Sequence, residues 1–248
     1  MYPPASFFAL ALAAAGTASA RTFTVTNNCP YTIWPAIFTS AGPVPAHSTG
    51  WEAAPGNTVS FRVDQGWNGR IWGRTQCNFG GQGLPTDCVT GGCNGGLECD
   101  ARTGTGVPPA TLGEWNLASD QDWYDVSNVD GVNLPMAITN TAGCPAPDCA
   151  NSHGIISACP KSLKVVNPQG EAVGCKTACS ANLDGIPQDS ANCCLGSHDK
   201  PETCPASGVQ YYDIFKKSCP DAYAYAWHAL YFDLSKEANG LRHVMTGP

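Results

Sequence analysis

Positive charge is what this sequence most clearly lacks. Only 13 of its 248 residues are Lys or Arg, against 20 Asp or Glu, for a formal net charge of −7. Nucleic-acid binders need clustered cations to displace counterions from phosphates, so a nucleic-acid partner is not expected. Beyond the first 20 residues there is no apolar run near the roughly 20 residues that a membrane-spanning helix needs, which argues against a transmembrane segment. No Asn-x-Ser/Thr acceptor occurs, and there is no phosphate-binding loop, Gly-x-Ser-x-Gly elbow or dinucleotide fingerprint. Cysteine is also missing from the whole stretch after Cys219.

Fourteen cysteines, 27 glycines and 20 prolines dominate what is there. Residues 1–20 contain Phe7, Phe8, Leu10 and Leu12, then a run of small residues ending Ala18-Ser19-Ala20 before Arg21. That is the shape of an export signal, although this one carries no Lys or Arg. An exported chain meets an oxidising environment, so the cysteines are read as a disulfide framework rather than as reduced thiols. Zinc is the rival reading, through the spacing Cys175-x-x-x-Cys179 and five histidines. The cysteines are too many and too dispersed for it, and neither metal nor cofactor is expected.

From Arg21 the chain alternates polar and apolar residues as a half-buried strand does. Further strand-like runs are 31–37, 58–63, 69–74, 123–126, 132–138 and 222–230. Breakers such as Pro55-Gly56 and Asp130-Gly131 separate them, so no helix much longer than three turns is expected before residue 150. The fold class is therefore mainly β. Cysteine density marks two loop-rich regions. Cys77, Cys88, Cys93 and Cys99 sit in a glycine-rich stretch too poor in apolar residues to hold itself together, and a second cluster runs from Cys144 to Cys219. Within it, adjacent Cys193 and Cys194 point along diverging paths, so each must bond elsewhere.

Five segments in order closely resemble the thaumatin-like proteins, the family of the pathogenesis-related group 5 proteins. They are residues 22–34 (TFTVTNNCPYTIW), 69–77 (GRIWGRTQC), 108–115 (PPATLGEW), 125–136 (DVSNVDGVNLPM) and 219–225 (CPDAYAY). The resemblance implies a flattened β-sandwich (about 21–74, 107–150 and 220–230), a small disulfide-rich lobe (about 75–106) and a larger one (about 151–219). Residues 226–248 form a tail atypical of the family, and the pattern is closest to fungal-type members. By family pattern the bridges are Cys77–Cys88, Cys93–Cys99, Cys149–Cys219, Cys159–Cys175, Cys179–Cys193 and Cys194–Cys204. Cys29 and Cys144 would pair in the family with cysteines near the C-terminus, in a closing strand that this chain does not match. Three outcomes stay open: the two bond each other, they remain thiols, or the biological C-terminus differs from the one given. Loss of a closing strand would expose a sheet edge.

The resemblance also implies an acidic cleft built from Arg70, Glu114, Asp125 and Asp130. The family's fifth acid is expected near Trp227 or His228, where no carboxylate stands. Paired carboxylates are what glycoside hydrolysis requires, one protonated and one ionised. The sequence reading assigns Glu114 as proton donor and Asp125 as base or nucleophile, with Asp130 setting the field and Arg70 orienting a carboxylate. Plainer roles compete: Asp130 before Gly131 suits a turn, Asp125 beside Asp122 a solvated charge, and Glu114 a surface ion pair. Trp67, Trp72, Trp115, Trp123 and Tyr124 are candidate sugar-stacking rings or core residues. The expected protein is a secreted, extracellular or wall-bound monomer that hydrolyses or binds β-1,3-glucan or another cell-wall polysaccharide. The alternatives are a non-catalytic defence protein and an inhibitor of a digestive hydrolase.

Overall fold

The structure is a computed structural model that describes residues 20–118, 121–227 and 241–245, the last as backbone. The leader and most of the tail lie outside the described residues. In chain order the elements are β1 (Arg21–Asn27), β2 (Trp34–Ala41), β3 (Thr58–Val63), β4 (Asn68–Cys77), β5 (Cys88–Thr90), β6 (Leu112–Asn116), β7 (Trp123–Ser127), β8 (Met136–Asn140), β9 (Asp148–Cys149), α1 (Ser152–Ala158), β10 (Lys164–Val166), β11 (Ala172–Cys175), α2 (Tyr212–Ser218) and β12 (Leu241–Met245).

Two sheets form the sandwich. One runs β3-β1-β12-β8-β9, the other β2-β4-β6-β7 with β5 on the end of β4. Alternation along each strand supplies the shared core. Phe23, Val25, Val63 and Ile138 point inward from the first sheet, and Ile37, Ile71, Trp115 and Val126 from the second. Phe23 touches Trp115 edge-on at 5.1 Å and Trp67 at 5.7 Å, so aromatic contact adds to burial at the centre. Trp67, Trp72, Trp115 and Tyr124 are all buried, whereas Trp123 stands out of the surface.

The first sheet does not end in an open gap. β12 lies parallel to β1 and antiparallel to β8, with Val25 opposite His243 and Ile138 opposite the same residue. The expected loss of a closing strand is thus corrected: a cysteine-free segment takes up the unmade hydrogen bonds of both neighbours. The run 222–230 is also corrected. Residues 222–227 form a turn that touches the second sheet by a single bridge, Tyr223 to Ser127, and 228–230 lie outside the described residues.

Six disulfides are present: Cys77–Cys88, Cys93–Cys99, Cys149–Cys219, Cys159–Cys175, Cys179–Cys193 and Cys194–Cys204. Cys149–Cys219 closes the longest loop, 70 residues, which on chain-entropy grounds contributes about 4 kcal/mol. Cys29 stays outside these bridges as a buried thiol, and Cys144 is not in them either.

Candidate acidic cleft

Register places the charged residues in one row. Across the second sheet Phe38 faces Arg70, Arg70 faces Glu114, and Glu114 faces Asp125. Directly opposed residues project from the same face of a sheet. That face is the outward one, because the alternate positions Ile71, Trp115 and Val126 enter the core. Towards the C-terminal end of β4 the outward face is roofed by the small lobe, where Trp72, Leu112 and Ala36 pack against Cys93 and Cys99. One register step away the roof ends and the charged row begins.

Asp130 joins the row from a turn rather than a strand. The Gly131 amide donates to the Asn128 carbonyl, and Gly131 sits at φ 95°, where an added Cβ would lie 2.5 Å from the Cys175 carbonyl oxygen. The turn reading and the cleft reading of Asp130 therefore hold together: the turn aims the carboxylate at Arg70. Arg70 bridges two acids, with Nη2 3.0 Å from Glu114 Oε1 and Nη1 3.2 Å from Asp130 Oδ2. Its guanidinium also lies 5.9 Å from the centre of the Phe38 ring.

Three carboxyl groups share this one cation, and burial does the rest. Burial, reinforced by the charge of Glu114 and only partly offset by Arg70, pushes Asp125 up to about 8. Its Oδ1 is buried and accepts no hydrogen bond. Glu114 is also raised by burial, but the guanidinium of Arg70 and a hydrogen bond with Ser127 oppose the rise. Asp130 is raised by burial and opposed by Arg70. Like-charged neighbours in a half-buried setting cannot all ionise, and all three acids are raised; Asp125 is the one without an ion-pair contact to Arg70.

Two hollows open on either side of the row and share Arg70, Glu114 and Asp125. One, of about 170 Å³, runs past Asn68 and Asn116 to Trp123; the other, of about 330 Å³, runs past Asp130 and Val129 to Tyr223 and Ala226. Trp123 is 42% exposed and forms the rim of the first. Ala226 lines the wall near the place where the fifth acid is expected; Trp227 is exposed, and His228 lies outside the described residues. Among the described residues no group of three or more His, Cys, Asp or Glu side chains is placed to hold a metal ion. No helix among them is long and apolar enough to cross a membrane.

Residues 27–237 match the thaumatin family. The chain belongs to that family. It is 44% identical to pathogenesis-related protein 5 of Arabidopsis thaliana, over 84% of this chain and 82% of the relative. It is 40% identical to a Prunus avium protein named glucan endo-1,3-beta-glucosidase, over 86% and 84% respectively. The solved structure of a laminaripentaose-producing β-1,3-glucanase in complex with laminaritetraose superposes with a TM-score of 0.59, covering 92% of this chain and 99% of that one. At 12% identity this last likeness concerns the fold alone. Within the thaumatin family frame, Glu114 and Asp125 occupy neighbouring strands of one sheet and Arg70 lies beside them on a third.

Proposed function

We propose that this thaumatin-family protein is exported and acts on cell-wall polysaccharide as an endo-β-1,3-glucanase, with Asp125 as the general acid and Glu114 as the nucleophile. The observation that carries the reading is the unequal contact of two opposed carboxyls with one cation: Glu114 is ion-paired to Arg70 at 3.0 Å, whereas Asp125 has no such contact and burial pushes it up to about 8. This reverses the roles expected from sequence, where Glu114 was the donor. An acid with an ion-pair contact to a guanidinium favours its charged form, and a desolvated one its neutral form.

Directly opposed strand residues have Cβ atoms about 4.5–5.5 Å apart. That suits the close carboxyl spacing of retaining hydrolases better than the wider spacing that admits a water between the two acids. In the first step Glu114 bonds to the anomeric carbon as the glycosidic bond breaks and Asp125 gives its proton to the departing oxygen. In the second, Asp125 takes a proton from water, which displaces Glu114 and releases the sugar. The hollows on both sides of the row leave a polymer room to extend past the point of cleavage, which supports internal rather than terminal attack. The name of the Prunus avium relative points to the same substrate class.

Reducing-sugar release from linear β-1,3-glucan by disulfide-intact protein tests this. Asp125→Asn and Glu114→Gln are each expected to lower the rate by about 10²–10⁴-fold, with β-configured product at first release. Rates unchanged by both substitutions overturn the reading. Glucan binding without turnover assigns the cleft to recognition in defence instead.

A further inference from the structure

A second hollow, of about 330 Å³, lies at the far end of β4, where the sandwich meets both lobes. From Arg70 to Thr75 is roughly 17 Å along the strand at about 3.3 Å per residue, and the roofed section under the small lobe separates the two places. We propose that this hollow is a binding site for a neutral pyranose sugar, distinct from the acidic cleft.

The lining chemistry selects the ligand. Among the described residues that line it there is no Asp, Glu, Lys or Arg, so an ionic ligand finds no counter-charge. Trp34 and Ile156 supply apolar wall, and Trp34 is held in place edge-on by Phe79 at 6.2 Å. Tyr31 is 40% exposed and adds a second ring to the lining. Rigid rings of this kind stack on the apolar face of a sugar at little entropic cost.

Floor and rim divide the polar work. The Thr75 hydroxyl bonds that of Thr90 at 2.7 Å, and the Asn133 amide donates to the Gly73 carbonyl and Thr90 and accepts from the Thr111 amide, so the floor is saturated and fixed. Thr32, Gln76 and His153, by contrast, stand around the hollow with side chains that make no hydrogen bond to any described residue. Gln76 is also held at φ 51°, between the Thr75–Thr90 pair and the Cys77–Cys88 bridge. A non-glycine residue keeps such a conformation only where its surroundings impose it, and positions of this kind cluster at ligand sites. An apolar wall ringed by an unpaired hydroxyl, amide and imidazole matches a ring with one apolar face and equatorial hydroxyls. A small phenol would satisfy the wall and leave most of the rim unmet.

The test is amide and indole NMR on the disulfide-intact protein, titrated separately with laminarihexaose, xylohexaose and phenol. At least one oligosaccharide is expected to shift the Trp34 indole and Gln76 side-chain amide signals saturably. Gln76→Gly relieves the backbone and His153→Ala lies on the exposed side of α1, so a double variant folds. It should bind that sugar about tenfold more weakly, with any Trp123 response at the cleft unchanged. The proposal is overturned if neither sugar moves Trp34 and Gln76, if phenol alone does, or if the double variant binds as wild type.

Discussion

Arg70 and Arg74 leave the same strand on the same face, four residues apart, and meet opposite fates. Arg74 is wholly buried under the small lobe with no carboxylate beside it. Instead it donates to the carbonyls of Trp34, Pro35, Gly96 and Leu97 and lies 5.1 Å from the Phe79 ring. Burial lowers it only to about 10, so it stays cationic at neutral pH. Arg70 is half-exposed and faces carboxylates. The difference shows two uses of one charge. Surrounded by fixed dipoles it fastens a loop to a sheet; outnumbered three to one by acids it pairs with two and leaves the third without an ion-pair contact.

The strongest way to break this comparison is Arg74→Met, which strands four buried carbonyls. A loss of about 3–5 kcal/mol in denaturant unfolding is expected, with residues 75–106 opened to protease. A loss below about 1 kcal/mol would show that the lobe holds without its arginine. Arg70→Met should do the reverse: stability within about 1 kcal/mol of wild type, but glucan hydrolysis down about 10²-fold as Glu114 loses the cation that opposes its protonation.

The pH dependence sharpens the picture further. Asp125 binds its proton more tightly folded than unfolded, so it favours the folded state fully below about pH 4, the ordinary carboxylate range. That contribution fades as the pH rises toward about 8. Thermal melts between these limits should therefore fall with pH in wild type and fall less steeply in Asp125→Asn, where Glu114 and Asp130 still contribute with the same sign. Hydrolysis should decline on the alkaline side as Asp125 ionises. The smallest effect calibrates the rest: Lys217→Ala removes an exposed i,i+4 pair with Asp213 and should cost no more than about 0.5 kcal/mol by the same unfolding measurement.

Legibility in the sequence followed exposure to water. β3 and β7 announce themselves because one face is drier than the other, so Thr58–Val63 alternates and β7 does so over its first four residues, Trp123 to Val126. β6 does not read as a strand: Leu112 is capped by the small lobe on the outward face while Trp115 fills the core on the other, and the alternation disappears. Glu114 on that strand was accordingly found through family resemblance and not through pattern. The run Ala222-Tyr223-Ala224-Tyr225 misleads in the other direction, since it alternates like a strand yet turns. Nothing in the sequence around Arg74 distinguishes it from Arg70, because its partners are carbonyl groups, which every residue carries. The protonation of Asp125 was equally out of reach, since it depends on which acid lacks an ion-pair contact to the guanidinium across three strands.

One property of the acidic row bears on how the molecule comes together. Its members all fall between positions 70 and 130, on three successive neighbouring strands of the second sheet and the turn that follows the last of them, whereas the first sheet must join Val25 to His243. Closing its shorter loops costs about 1–2 kcal/mol less chain entropy than closing that one. The geometry of the charged row is thus specified by a nearly self-contained stretch of polypeptide, and the remote strand serves as a latch in the opposite sheet of the sandwich.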